Sequence, residues 1–434
     1  MNFQNTLKFA QQLDHQDPLK HLRDEFIIPQ HNGKDAIYLC GNSLGLQPKT
    51  AEAILAKQLG NWASKGVEGW FDGDEPWLNY HQQLKGTLGG ILGANETEIT
   101  VMNSLTVNFH LLMVSFYQPT NKKYKILMEG GAFPSDQYAI ESQVRFHGYD
   151  PDEAIIEVFP RDREYTLRTE DILEAIADNA DELVLVMFSG INYYTGQFFD
   201  IPAITKAAHD IGVYAGFDLA HAAGNVPLQL HNWGVDFACW CSYKYMNSGP
   251  GGISGIFVHE KHFGDTSLNR FAGWWGNRKD TQFKMVKGFE PEQGADGWQV
   301  STSPILLMAV HKAALEAYDK AGGIQPLRDK SLLLTAYLEY IISEINSKQG
   351  EELFKIITPE DSAIRGCQLS IICKQNGKAM FNYLTGHGVI GDWREPDVIR
   401  LSPVPLYNTF MDVYQTGHLL TQSLALLQND SAAK

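Results

Sequence analysis

The chain has 434 residues, 44% of them hydrophobic and 20% charged, with a formal net charge of −16. That length exceeds one compact core, so two domains are expected. The negative charge disfavours nucleic acid or an anionic membrane as a partner.

The five cysteines (Cys40, Cys239, Cys241, Cys367, Cys373) carry no CxxC spacing, and reduced thiols in a cytoplasmic protein are expected. Residues 1–8 lack a signal-peptide core and no stretch approaches a membrane span, so no membrane partner is expected. From Asn429 to Lys434 the composition suggests a disordered tail.

In chain order, residues 5–28 read as polar amphipathic helices broken at Pro18, and 37–41 as a short strand entering the loop Gly41-Asn42-Ser43-Leu44-Gly45. A helix over 49–62, an aromatic loop over 70–77, a glycine-rich helix to Gly93 and a strand at 98–102 follow. Short apolar runs at 125–128, 154–158, 183–188, 213–217, 235–241 and 253–258 read as strands. Amphipathic segments at 104–117, 135–147, 169–178 and 201–211 alternate with them. This alternation predicts an α/β fold, a mostly parallel sheet between helices, with the site at the carboxyl ends of its strands. Beyond Pro304 the pattern becomes α+β: helices over 304–320 and 326–347, strands near 353–357, 366–373 and 397–401, and helices over 375–386 and 409–427. The expected division is a 51–305 large domain, a 306–434 small C-terminal domain, and a 1–50 segment packing with the latter.

The heptapeptide Cys239-Trp240-Cys241-Ser242-Tyr243-Lys244-Tyr245 ends an apolar strand in a lysine flanked by aromatics. Desolvation there frees a neutral amine for Schiff-base chemistry, and pyridoxal phosphate is the common partner of such a lysine. A strand-end lysine reaching out to water is the alternative. Asp218 closes the run 213–217, with His221 just after it. A buried carboxylate there keeps a pyridine nitrogen protonated, whereas a helix-capping aspartate would look the same. Residues 102–108 enter an apolar helix whose first amides suit a phosphate; simple Ser/Thr capping is again open. Phe133-Pro134-Ser135-Asp136 offers a ring to cover a planar cofactor and polar groups beside it, or an ordinary helix start. Arg400 alternates with apolar residues, pointing away from a core; its fork suits a substrate carboxylate, and a solvent-facing arginine is the alternative. His259-Glu260-Lys261-His262 has the wrong spacing for a metalloprotease site and reads as surface charge, so no metal is expected.

Taken together, these motifs closely resemble the kynureninases, hydrolases of the fold-type-I pyridoxal-phosphate class. The likeness spans nearly the whole chain: GNSLG at 41–45, LTVN at 105–108, FPSD at 133–136, DLAHAAGN at 218–225, CWCSYKY at 239–245, GWWG at 273–276, RGCQLS at 365–370 and PVPLYN at 403–408. The resemblance implies hydrolytic Cβ–Cγ cleavage of L-kynurenine or 3-hydroxy-L-kynurenine to the anthranilate and L-alanine, in tryptophan breakdown or nicotinamide-cofactor synthesis. It implies that Lys244 holds pyridoxal phosphate and moves protons, with Tyr243 as a further acid/base. Asp218 would face the pyridine nitrogen, Phe133 would stack on the ring, and Leu105 and Thr106 would bind phosphate. Pro134, Ser135, Asp136, Ser189, His221 and Tyr243 would complete the pocket. Trp274 and Thr302 would reach the neighbouring subunit's site in a homodimer. Arg400 would clamp the substrate carboxylate while the loop of Asn42 and Ser43 closes over it. Thr302 stands where some relatives have asparagine, and kynurenine itself is the expected substrate.

Three rivals remain. A cysteine desulfurase would need a nucleophile such as Cys367, whose setting reads as a buried strand. An aminotransferase would require a keto-acid acceptor. A non-catalytic binding protein on an enzyme fold would be expected to have lost the lysine or its charge partners.

Overall fold

The computed structural model describes residues 2–431; side chains from 425 onward are not described. Seven strands form the central sheet: β1 (Ile99–Val101), β2 (Lys125–Glu129), β3 (Ile155–Val158), β4 (Leu183–Ser189), β5 (Tyr214–Asp218), β6 (Phe237–Trp240) and β7 (Gly255–Val258). Their order is β1-β7-β6-β5-β4-β2-β3. Only β7 pairs antiparallel with its neighbours, so the sheet is mostly parallel.

Alternation along these strands feeds two separate apolar layers. Leu127, Val186, Phe188, Phe217, Ala238, Trp240 and Phe257 point to one layer. Ile126, Met128, Leu185, Met187, Phe237, Cys239 and Ile256 point to the other. A sheet buried on both faces needs apolar residues at every interior position, which explains the near-continuous apolar runs. Three central parallel strands close on polar residues, Glu129, Ser189 and Asp218, which all lie at one rim.

A second sheet of four antiparallel strands (Phe354–Ile356, Leu369–Cys373, Val398–Leu401, Asp392–Arg394 in spatial order) packs on the helices Ile324–Gln349 and Phe410–Ser431. The Asp392–Arg394 strand is absent from the sequence expectation, since three residues carry too little periodicity to register. Ala10 and Leu13 of the helix Leu7–Gln16 share this second core, as do Ile37 and Leu39. Helix Ile305–Ala321 instead contributes Met308, Leu315 and Tyr318 to the larger core. The final helix continues through Ser431, which corrects the disordered reading of Asn429–Ser431; residues 432–434 lie outside the described range. Among the described residues, no helix is long and apolar enough to cross a membrane.

One glycine shows how tightly the sheet face is packed. Gly216 on β5 lies opposite Phe237 on β6, and a Cβ there would sit 2.1 Å from the Phe237 ring. That ring is held from above by stacking on Phe116, with centroids 4.5 Å apart. Gly216→Ala should therefore lower stability by about 1–3 kcal/mol through overpacking, read as a lower midpoint in denaturant unfolding. An unchanged midpoint would mean that Phe237 is free to move.

Candidate active site

Lys244 follows β6 after a short turn and is 9% exposed. Its Nζ lies 3.0 Å from His221 Nε2 and 5.7 Å from the centre of the Phe133 ring. Burial, then the charges of Lys244, Arg400 and Arg394, push the His221 imidazole well below its usual value. A neutral imidazole accepts the lysine proton at Nε2 and carries its own hydrogen on Nδ1. That Nδ1 is buried without a partner.

Opposite the lysine stands a group of buried acids. Asp218, at the end of β5, accepts from the Ala220 amide at 2.7 Å and is hydrogen-bonded to Asp136. It opens a turn rather than a helix, which removes the capping alternative. Burial raises the Asp136 carboxyl, and the Asp218 charge beside it raises it further, favouring a proton shared between the two. Glu129, at the end of β2, is 2% exposed and raised mainly by burial. Three buried carboxyls therefore gather around a single lysine, where added positive charge would be favourable. A protonated ring nitrogen would supply it.

The other end of the cleft suits an anion. Helix Leu105–Phe116 begins at Ser104, whose side chain makes no capping bond, so the Ser/Thr-cap alternative fails. Ser104, Leu105 and Thr106 at its start line a cleft that opens to solvent, where the first amides of the helix suit an anion. Phe133, Ser135, Asp136, Asp218, His221, Tyr243 and Lys244 line the same cleft, as does Ser189, whose buried hydroxyl has no partner. Orphaned Ser189 Oγ and His221 Nδ1, an uncapped helix start and an acid cluster at the far end together fit pyridoxal phosphate. Burial also raises the Tyr243 phenol, which keeps it a proton donor at neutral pH.

Other expected residues sit elsewhere. Pro134 is the first residue of its helix and exposed, setting the chain direction rather than lining the cleft. Trp274 and Thr302 are both exposed and do not line this chain's cleft. Arg400 is 1% exposed, so the solvent-facing alternative is excluded. Its Nη1 donates to the Tyr193 carbonyl at 2.6 Å, and its Nη2 is paired with Asp392. Ser43 Oγ donates to the same Asp392 at 2.9 Å, and Asn42 donates to Gln368 Oε1 at 3.0 Å. Asp392, Glu129 and Tyr193 were not expected. Glu129 follows an apolar run and precedes two glycines, so it reads as a turn residue.

The His259–His262 segment needs a correction, because it is more than surface charge. His262 is buried and lies 2.8 Å from Asp236, which also pairs with Lys261 and His209. His259 stacks on His231 beside buried Glu98, a grouping compatible with a metal ion. The atoms there are already engaged: Glu98 accepts the Asn95 and Glu260 amides, and His259 Nδ1 accepts the Lys261 amide. They latch loops at the rim opposite Lys244.

Residues 327–420 match the model of the kynureninase C-terminal domain. Kynureninase from Flavobacterium psychrophilum is 55% identical over 98% of this chain and 99% of its own. That from Myxococcus xanthus is 50% identical over 95% and 96%, and that from Nematostella vectensis 47% over 98% and 95%. Among solved structures, the cysteine desulfurase CsdA from Escherichia coli superposes with a TM-score of 0.73 at 14% identity, covering 94% of this chain and 99% of that one. A C-DES variant with glycine covalently linked to its PLP cofactor gives 0.72 at 16%, covering 89% and 96%. These distant likenesses identify the architecture as that of the fold-type-I pyridoxal-phosphate enzymes. The near full-length identity to relatives as far apart as a flavobacterium and a sea anemone goes further: the chain belongs to the kynureninase family.

Proposed function

We propose that this enzyme hydrolyses the Cβ–Cγ bond of L-kynurenine, giving anthranilate and L-alanine, with pyridoxal phosphate held on Lys244. The observation that carries the reading is Lys244 itself, buried against His221 and faced by Asp218 and Asp136 at the carboxyl rim of the sheet. When bound, the cofactor supplies an electron sink for the amino acid's α- and β-carbons.

The chain's residues would do the rest. Asp218 holds positive charge at the ring nitrogen, and Asp136 shares its proton with it. Leu105 and Thr106, at the uncapped helix start, receive the phosphate. Phe133 covers one face of the ring. Arg400 takes the substrate α-carboxylate in place of Asp392, with Asn42 and Ser43 closing over it. Lys244 Nζ removes the α-proton, with neutral His221 beside it to accept a hydrogen bond. Water adds to the γ-carbonyl. As the resulting diol loses a proton, the Cβ–Cγ bond breaks and the aryl carboxylate leaves. The electron pair left at Cβ takes a proton from Tyr243, and the proton lost from the diol restores the phenol.

We further read the enzyme as a homodimer. Trp274, Phe71 and Phe283 form one exposed aromatic patch, with Met285 and Val286 beside it. Exposed apolar area of this kind supports a subunit interface, and it would carry Trp274 and Thr302 to the partner's site. Residues 51–305 would carry the cofactor, and 306–434 with the 1–50 segment would carry Arg400 and the closing loop. Five free cysteines suit a reducing compartment and a cytoplasmic location.

Lys244→Ala should abolish anthranilate formation and the visible absorbance of the protein mixed with pyridoxal phosphate. An unchanged spectrum would contradict the assignment of Lys244.

The desulfurase rival depends on Cys367. That thiol is fully buried, and burial pushes it up to about 12, which makes it a poor nucleophile. Cys367→Ala should leave anthranilate formation from kynurenine intact and no sulfide should be released from cysteine by the parent enzyme. Sulfide release lost in the variant would restore the rival.

A further inference from the structure

Arg400 belongs to the small sheet, yet its guanidinium is held by a carbonyl from the turn that follows β4 of the large one. Tyr193 O accepts Arg400 Nη1 at 2.6 Å and Gln368 Nε2 at 3.1 Å. The two carbonyls that follow are used in the same way: Tyr194 O accepts Ser370 Oγ at 2.5 Å and Thr195 O accepts Thr358 Oγ1 at 2.6 Å. Three successive carbonyls of one turn therefore dock the sheet that carries Arg400. A shift of this turn moves the arginine relative to the cleft.

The turn is fixed from the large-domain side by Asn192. Its Oδ1 accepts the amides of Tyr194 at 3.0 Å and Thr195 at 2.9 Å, and the Thr195 hydroxyl at 3.1 Å. Those donors settle the orientation of the Asn192 amide, so its Nδ2 must point the other way. There it donates to Glu129 Oε2 at 2.8 Å. The second Glu129 oxygen accepts the Ser189 amide at 3.1 Å, on the strand end paired with Asp218. Both oxygens of a buried carboxylate thus receive N–H donors. One links to the strand beside the acid that faces the ring nitrogen, the other to the turn that holds Arg400.

We propose that Glu129 is a positioning residue for substrate: through Asn192 it fixes the 192–195 turn, and so aims the Arg400 guanidinium at the substrate carboxylate. The proposal rests on the reading of Arg400 as the carboxylate clamp.

The hydrogen-bond polarity supplies a test by rescue. Glu129→Gln keeps one acceptor for the Ser189 amide but turns an NH2 toward the Asn192 NH2. Asn192→Asp keeps the acceptor for the turn amides but turns a carboxylate toward the Glu129 carboxylate. Combining Glu129→Gln with Asn192→Asp reverses one hydrogen bond and preserves every other. With holoenzyme and L-kynurenine, each single variant should raise KM by about tenfold, equivalent to about 1.4 kcal/mol, with a smaller change in kcat. The double variant should return KM to near the parent value, and a purely structural role would not produce that rescue.

Arg400→Gln, measured alongside, separates the two readings. If Arg400→Gln raises KM but Glu129→Gln does not, or the double variant fails to recover, the role of Glu129 is overturned. If Arg400→Gln leaves KM unchanged, the carboxylate-clamp reading falls and this proposal with it. Should a single swap not fold, Asn192→Ala introduces no mismatched pair and should show the same rise; an unchanged KM there also overturns the proposal.

Discussion

Burying three carboxyls beside one another is expensive, and the site is organised around that cost. Asp136 and Asp218 are hydrogen-bonded to each other, Glu129 lies across β4 from them, and Lys244 faces the group. Acids in this position keep a proton among themselves or bring in a cation. A cofactor with a basic ring nitrogen would meet that demand and would itself be kept in its electron-withdrawing form. In a chain of net charge −16, an anionic cofactor and an amino acid substrate must be received by local features. Those features would be the uncapped helix start for the phosphate and, under the clamp reading, the buried Arg400 guanidinium for the substrate carboxylate.

The same acids explain how two sheets act as one site. The carboxyl rim of the central sheet supplies Ser189 and Asp218, and the turn after Ser189 supplies the carbonyls on which the small sheet docks. Arg400 is paired with Asp392, and Ser43 donates to that same carboxylate. Under the clamp reading of Arg400, a substrate carboxylate would meet a guanidinium already desolvated and oriented, with Asp392 to displace. Preorganisation of this kind moves part of the ordering cost from binding to folding.

Much of this was legible in the sequence, for physical reasons that differ from residue to residue. Strands buried on both faces have to be apolar throughout, so the six runs from 125 to 258 stood out, and the polar residues Asp218 and Ser189 marked their ends. Lys244 was recognisable because aromatics and an apolar strand surround it. Glu129 was not, because the Asn192 amide that donates to it is sixty-odd positions away in sequence and adjacent only across the sheet. Arg400 was expected to point away from the core, but Asp392 and the Tyr193 carbonyl enclose it, and neither partner is readable from local pattern. The 259–262 segment looked like surface charge because the acids that bury its histidines, Glu98 and Asp236, come from other strands and loops.

The central claim is that Lys244, the acid cluster and the uncapped helix start hold one cofactor between them. A crystal structure of the protein grown with pyridoxal phosphate tests it most directly. The account predicts continuous density from Lys244 Nζ to the cofactor, with Asp218 at the ring nitrogen and the phosphate at Leu105 and Thr106. It also predicts Trp274 and Thr302 of a second subunit near that phosphate. Cofactor bound away from Lys244, or a ring nitrogen without Asp218 beside it, would contradict the account.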